Sequence, residues 1–399
     1  MQILQLQILI KFVNTNEFDP RMENIGLIGW NGNYNVGDDA MTSVIIRYLM
    51  QHKVGARFYF YTDKSTLAEY VDKNQKLEIK ELPCFTFIRK IPFIRSIALR
   101  YIFPYFFSNN KDLLLIGGGS IIHRAKLSLL YTRIIKLIRK KNQSVLIGAI
   151  GISIGPFTNE EDKIAAKLVL ENMDFFVVRD LRSYQLAKQM NLKNRFKIAP
   201  DLALLLPQLS NESFCKTGNF GNYIGLSLRS GYIDSEKNIW LSNLIQSVLN
   251  NNPGYTLKLF TFCAFKGQND MDDNARFINL LPASLQKRVL LINYSKKPLD
   301  FYKEIYYCDI MVCMRLHAAI ISYAVNTKFV MLSYHQKCID FAEETGLPPE
   351  YLLSEQVSLD EAVNLLQKLL NEKKTIFNKT RCEVINKVKD HFSFIPVNN

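Results

Sequence analysis

The sequence predicts an α/β protein built as two Rossmann-like domains that face each other across a cleft. Three observations carry this expectation. Short apolar runs alternate with segments of helical apolar spacing, the pattern of parallel strands joined by crossover helices. The alternation occurs twice, on either side of polar residues 208–221, which are rich in Asn, Ser, Gly and Thr and read as a linker. The 399 residues, 48% hydrophobic and 22% charged, leave room for two domains of ordinary size. The expected division is an extension over residues 1–21, a first domain over 22–207, a second over 222–375 and a C-terminal helix over 376–399.

Residues 1–21 lack the basic n-region and small-residue cleavage site of a signal peptide, and Met22 stands just before the first clear strand, residues 25–29. That strand runs into a loop containing Asn35-Val36-Gly37-Asp38-Asp39, and residues 41–50 show helical spacing. The loop is not a dinucleotide fingerprint, because its glycines are wrongly spaced, but they let the backbone approach a ligand closely. Asp38 and Asp39 have two readings, helix caps or functional carboxylates. A second strand is expected over residues 58–61. Residues 85–107 interleave aromatic and aliphatic residues with Arg89, Lys90, Arg95 and Arg100 and contain no acid. They read either as a core-packing helix with solvated cations or as an interfacial patch that touches anionic lipid. Residues 112–116 form a strand that ends in Gly117-Gly118-Gly119-Ser120, and residues 145–150 form another that ends in Gly151. A helix over 160–172, a strand over 175–178 with Arg179-Asp180 at its end, and a strand over 196–198 running to Pro200-Asp201 complete the first series.

The second series opens with a strand over residues 223–229, ending at Arg229. A helix over 237–249, strand 256–261, helix 272–281, strand 289–292 and helix 299–306 follow. The strand over 309–312 leads into Arg315 and His317 and an apolar helix over 316–325. Strand 329–333 ends in Tyr334-His335-Gln336-Lys337, and Ser358-Leu359-Asp360-Glu361 is a capping box opening a helix to residue 370. Residues 375–391 are expected to be helical.

Lys and Arg outnumber Asp and Glu by 50 to 37, a net charge of +13, which favours acidic partners. The cations are scattered and form no long run, which weighs against nucleic acid. Seven cysteines without a C-x-x-C read as reduced thiols in a cytoplasmic protein, with no disulfide framework and no structural zinc. No uncharged stretch is long enough to span a bilayer.

Arg315 and His317 sit where a strand meets a helix, the edge at which open α/β sheets bind ligands and where a helix N-terminus attracts anions. A guanidinium fork and a titratable ring there suit a phosphorylated or carboxylated substrate. The plain alternative is an arginine capping the sheet and a histidine satisfied in the core. A cleft between the halves would collect Asn35, Gly37, Asp38, Gly118, Gly119, Arg179 and Asp201 from the first. The second would supply Arg229, Arg315, His317, Tyr334 and Lys337. No cluster has metal-ligand spacing.

Taken in order, Asn35-Val36-Gly37-Asp38, Gly117-Gly118-Gly119, Arg179-Asp180-Leu181-Arg182-Ser183, Pro200-Asp201, Ser227-Leu228-Arg229, Arg315-Leu316-His317 and Tyr334…Lys337 resemble the motifs of the polysaccharide pyruvyl transferase family. The resemblance spans about residues 24–350 and implies a GT-B-like fold. It implies transfer of a pyruvyl group from phosphoenolpyruvate to two hydroxyls of a sugar, forming a ketal on a surface, capsular or exopolysaccharide precursor, with no nucleotide cofactor. His317 is then the expected general acid. Arg315 and Arg229 would bind the donor's charges, and Asp38 would hold or deprotonate the sugar hydroxyl. The acceptor's lipid linkage is left open, and peripheral contact with the inner face of an anionic membrane is expected through residues 85–107. Two other readings stand beside this one: a nucleotide-sugar glycosyltransferase on the same fold, and a silent carbohydrate-binding or scaffold protein. Intact Arg229, Arg315 and His317 count against the last.

Overall fold

The computed structural model describes residues 24–29, 32–52, 56–60, 79–81, 112–210, 214, 222–229, 235–265, 268–333, 336–354, 356–372 and 378–396. In the first half the elements are β1 (Asn24–Ile28), α1 (Val36–His52), β2 (Arg57–Phe60), β3 (Ile79–Glu81), β4 (Leu113–Ile122), α2 (Ala125–Lys141), β5 (Leu146–Ile154), α3 (Glu160–Glu171), β6 (Phe175–Val178), α4 (Leu181–Gln189) and β7 (Arg195–Ile198). A 3-10 helix, Leu202–Leu209, leads out of it. The second half has β8 (Tyr223–Ser227), α5 (Ser235–Asn251), β9 (Thr256–Thr261), a small hairpin of β10 (Ala264–Phe265) and β11 (Gln268–Asn269), α6 (Asp270–Leu280), α7 (Ala283–Gln286) and β12 (Val289–Asn293). It continues with α8 (Pro298–Tyr306), β13 (Ile310–Cys313), α9 (Leu316–Ala324), β14 (Lys328–Leu332), α10 (Gln336–Thr345), β15 (Leu352–Leu353), α11 (Leu359–Asn371) and α12 (Asn378–Lys387).

Two parallel sheets result, in the orders β3-β2-β1-β4-β5-β6-β7 and β12-β9-β8-β13-β14-β15. Counted within its own half, each order begins 3-2-1-4-5-6, the doubly wound arrangement, so each sheet reverses direction between its first and fourth strands. The first reversal lies between β1 and β4 and the second between β8 and β13. The strands at these points, β1 and β13, are buried along their whole length, as continuous apolar runs covered by helices on both faces must be. The two halves share one apolar core. Leu202, Leu204, Leu205 and Leu206 of the 3-10 helix are fully buried in the cluster that also holds Val44 and Ile45 of α1 and Ile320 and Ile321 of α9. Tyr302 Oη donates to Ala203 O across the same junction at 2.7 Å. Among the described residues, no helix is long and apolar enough to cross a membrane.

The expected strands and most helices stand within a few residues of their predicted ends, and the differences have local causes. The first helix begins at Val36, not residue 41, because the Asn35 side chain accepts from Gly37 N at 3.1 Å and caps it there. The triple glycine is not a loop after a strand. β4 continues through it to Ile122, with a register shift between Gly119 and Ile122 and positive φ at Gly118 and Gly119. Helices α2, α7 and α10 were not expected, nor were β3, the β10–β11 hairpin and β15. The C-terminal helix ends at Lys387 and tightens into a 3-10 turn, Val388–Phe392, that packs against the first half. There His391 Nε2 lies 2.8 Å from Pro200 O, and its Nδ1 accepts from Gly151 N at 3.2 Å. The extension over 1–21, the basic aromatic stretch over 85–107 and most of the expected linker lie outside the described residues.

Candidate active site

The two reversal points meet face to face. From the first sheet, β1 leads into the capped start of α1, and β4 brings Gly118 and Gly119 beside it. From the second, β8 leads to Arg229, and β13 leads to Arg315 and to His317 in the first turn of α9. The contact between them is intimate: a Cβ on Gly37 would stand 2.1 Å from His317 Nδ1, so only a glycine leaves room for that ring. A Cβ on Gly119 would stand 2.8 Å from Asp38 Oδ1, which places the carboxylate over the glycine-rich bulge of β4.

Around this contact lies a charged cluster. Arg179, at the end of β6, donates from Nε to Ser153 Oγ at 2.9 Å and pairs through NH1 with Asp201 Oδ2 at 2.8 Å, with both side chains almost fully buried. His317 Nε2 lies 3.8 Å from the same Asp201 oxygen, too far for a hydrogen bond, and this buried nitrogen has no hydrogen-bond partner among the described residues. Arg315 is anchored from behind: its NH2 pairs with Asp270 Oδ1. Asp270, wholly buried, also accepts through Oδ2 from the Phe262 and Cys263 amides at 3.1 and 2.9 Å. Arg315 Nε is buried without a partner among the described residues.

This environment moves Asp38, His317 and Lys337 toward their neutral forms and Asp201 toward its charged one. Burial pushes Asp38 up to about 7; Asp39 and Asp201 push it the same way, and Arg179 and Lys337 oppose them. Burial pushes His317 down to about 4 despite Asp201, with Arg179, Lys337 and Arg315 adding to the fall. Lys337, in the first turn of α10, falls to about 8 through burial and through the charges of Arg229, Arg179 and Arg315. For Asp201, burial raises the carboxyl, but Arg179 and His317 outweigh it and leave it below its ordinary value. Arg179, Arg229 and Arg315 stand close enough to Lys337 to lower it by their charges, although Arg179 pairs with Asp201 and Arg315 with Asp270, and an anion among them would relieve that repulsion.

The structure thus brings together Asn35, Gly37, Asp38, Gly118, Gly119, Arg179, Asp201, Arg229, Arg315, His317 and Lys337. Tyr334 lies outside the described residues. Asn35 contributes as the cap of α1, and its backbone forms a bridge to Cys263 of the second half. Sequence reasoning missed Ser153 and Asp270, which orient Arg179 and Arg315. Asp270 carries a signal only in hindsight, as an acid at the start of a helix beside a strand end. Among the described residues, no group of three or more His, Cys, Asp or Glu side chains could hold a metal ion.

Solved structures with the same architecture include a UDP-GlcNAc 2-epimerase from Neisseria meningitidis bound to UDP-GlcNAc, with a TM-score of 0.60 and 11% identity over 93% of this chain and 99% of that one. The UDP-GlcNAc 2-epimerase from Methanocaldococcus jannaschii gives 0.59 and 10% over 92% and 99%, and the trehalose-6-phosphate synthase OtsA gives 0.51 and 12% over 92% and 96%. Identities this low speak for the fold alone, which is GT-B. No curated protein sequence matches the chain. The sequence profile of polysaccharide pyruvyl transferases, in contrast, matches residues 35–336, from the Asn35 cap to the residue before Lys337. That span takes in β4, the second reversal point and every described cluster residue except Lys337, and the chain belongs to the polysaccharide pyruvyl transferase family.

Proposed function

We propose that the protein transfers a pyruvyl group from phosphoenolpyruvate to two hydroxyls of a saccharide, forming a ketal. The observation that carries this reading is the convergence of Arg179, Arg315 and Lys337 on His317, with Arg179 and Lys337 also facing Asp38 and Arg229 close to Lys337. Phosphoenolpyruvate offers a carboxylate and a phosphate, and four cations suit both. The reaction adds a proton to the methylene carbon, which leaves C2 cationic, and a sugar hydroxyl attacks C2. The bond from C2 to the phosphate oxygen then breaks, and a second hydroxyl attacks C2 to close the ring. Of the two hydroxyl protons, one ends in the new methyl group and the other on the departing phosphate. Arg179, Arg315 and Lys337 would hold the anionic groups and stabilise the charge that leaves.

The proton inventory favours a different division of labour from the one expected from the motifs. At neutral pH Asp38 retains much of its proton and His317 has lost its own. An arriving anion raises both groups together and preserves their order. We therefore assign proton delivery to Asp38 and removal of the hydroxyl proton to His317, whose ring packs on Gly37, the residue next to Asp38. The acceptor in this reading is a precursor of a surface polysaccharide, and the protein works in the cytoplasm, against the inner face of the membrane where that precursor is lipid-linked.

The test is incubation with phosphoenolpyruvate and saccharide acceptors prepared from the host's surface glycan, reading phosphate release and a pyruvyl ketal by mass spectrometry. Phosphate release with ketal formation is expected. Binding and turnover of a nucleotide sugar, with no reaction of phosphoenolpyruvate, would replace this reading by the glycosyltransferase alternative.

A further inference from the structure

Asp39, next to the proposed proton donor, does something other than cap its helix. It is wholly buried. Its Oδ1 accepts from Gly32 N at 2.7 Å, and its Oδ2 accepts from Tyr294 Oη of the second half at 2.8 Å. Tyr294, 6% exposed, follows β12 and packs edge-on against Phe301 with ring centroids 5.7 Å apart. The loop that Asp39 closes is stitched to the second half by its backbone as well. Val36 N donates to Phe262 O at 3.0 Å, and Ala264 N donates to Tyr34 O at 3.0 Å. At the surface Lys296 Nζ sits 4.3 Å from the centre of the Tyr34 ring. The start of α1 is therefore chained to the first sheet but held in place by the second.

We propose that Asp39 and Tyr294 are positioning residues for the pyruvyl transfer: their hydrogen bond fixes the first turn of α1 against the second domain and so sets where Asp38 stands over the glycine-rich bulge of β4. This rests on the reaction assigned above. Asp38 touches the reacting groups in that reaction, and Asp39 and Tyr294 act only through it. Asp39 also acts through its charge. Asp38 is faced by Arg179 from the end of β6, Asp201 from the start of the 3-10 helix and Lys337 from α10, with His317 of α9 against the neighbouring Gly37. Of these and its own neighbours, Asp39 and Asp201 are the anions that favour the protonated form.

Two near-isosteric substitutions separate position from charge. Tyr294→Phe keeps the ring packing and removes the bond. Asp39→Asn keeps an acceptor for Gly32 N and an amide for the Tyr294 oxygen, but removes the charge. With phosphoenolpyruvate and acceptor, Tyr294→Phe should lower kcat about 100-fold, the loss that an ångström of misplacement brings, while KM for phosphoenolpyruvate stays within about threefold. Asp39→Asn should move the Asp38-dependent limb of the pH–rate profile to lower pH. The same fall should appear in the Asp38 carboxyl titration followed by 13C NMR, which needs no turnover. Unchanged kcat in Tyr294→Phe, or a fall in melting temperature in both variants with kcat and the Asp38 titration unmoved, would overturn the proposal. Absence of phosphoenolpyruvate turnover in the wild-type protein would sink the reaction itself, and the NMR titration would still decide whether Asp39 governs Asp38. If Asp39→Asn does not fold, Tyr294→Phe carries the decision alone.

Discussion

At the scale of single residues, the site is held in a state its own chemistry opposes. An aspartate raised to about 7 is a group the folded protein keeps protonated where the unfolded chain, with its ordinary value of 3.8, does not. The stability that comes with the neutral carboxyl is complete below the unfolded value and is lost as pH rises through the folded one. Asp38→Asn cannot ionise. Relative to the wild type, its stability should therefore grow between about pH 4 and pH 7 by roughly 1.4 kcal/mol per pH unit and stay level above that. Urea unfolding at pH 5 and pH 8 measures the difference, and the variant should be the more stable and the nearly inactive one at pH 8. His317 has the opposite sign. Its stability contribution is present above 6.5 and falls as pH drops through about 4. His317→Ala should lower kcat by roughly two to four orders of magnitude, the worth of general acid–base catalysis, and leave phosphoenolpyruvate binding largely intact. Circular dichroism should show it folded; loss of the fold would return His317 to a core-packing role.

At the scale of elements, much of the site was legible because glycine, proline and charge mark strand ends in a parallel sheet. Arg315 and His317 were readable as a strand-to-helix edge, and Arg179 and Asp201 as neighbouring edges. The partners that orient them were not, because Ser153 lies inside a glycine-rich strand and Asp270 looks like any acid in a first turn. Helix α2 went unseen although its apolar spacing is sound, since it follows directly on a strand that runs longer than its glycines suggest. Gly37 is a sharper case. In the first turn of a helix an alanine is normally the better residue by up to about 1 kcal/mol. Here its Cβ would meet the His317 ring, so Gly37→Ala should stay folded, displace the ring and lower kcat with little change in the far-ultraviolet spectrum. The C-terminal 3-10 turn is the other element whose role only the tertiary structure reveals. His391 satisfies both Gly151 N and Pro200 O in the core, burial pushes it down to about 4, and it packs with no exposed surface. His391→Ala leaves two buried backbone groups without partners and a cavity between the C-terminal segment and the first sheet. It should lower stability by about 2–5 kcal/mol in chemical denaturation.

At the scale of the whole molecule, the twofold alternation of strands and helices was enough to predict two Rossmann-like halves. It was not enough to predict how they meet. Periodicity reports which face of an element is buried, not which element buries it, so the shared core around the 3-10 helix Leu202–Leu209 and the return of the C-terminus to the first sheet left no local trace. The meeting of the halves has a measurable consequence. Arg179 comes from the first half, Arg315 and Lys337 come from the second, and their charges press on one another across the cleft. A donor with a carboxylate and a phosphate between them would offset that repulsion and tie the halves together, so phosphoenolpyruvate should raise the melting temperature. At one hundred times its Kd the gain is about 2.7 kcal/mol. The shift should shrink as salt rises from 50 to 500 mM, because Arg315 and Lys337 are only half-buried. Arg179→Gln and Lys337→Gln remove one cation from each half, and each should weaken the shift if the donor bridges the cleft. A shift abolished by Lys337→Gln but untouched by Arg179→Gln would place the donor on the second half alone. A shift with UDP-GlcNAc and none with phosphoenolpyruvate would mean that the cluster serves a nucleotide diphosphate instead.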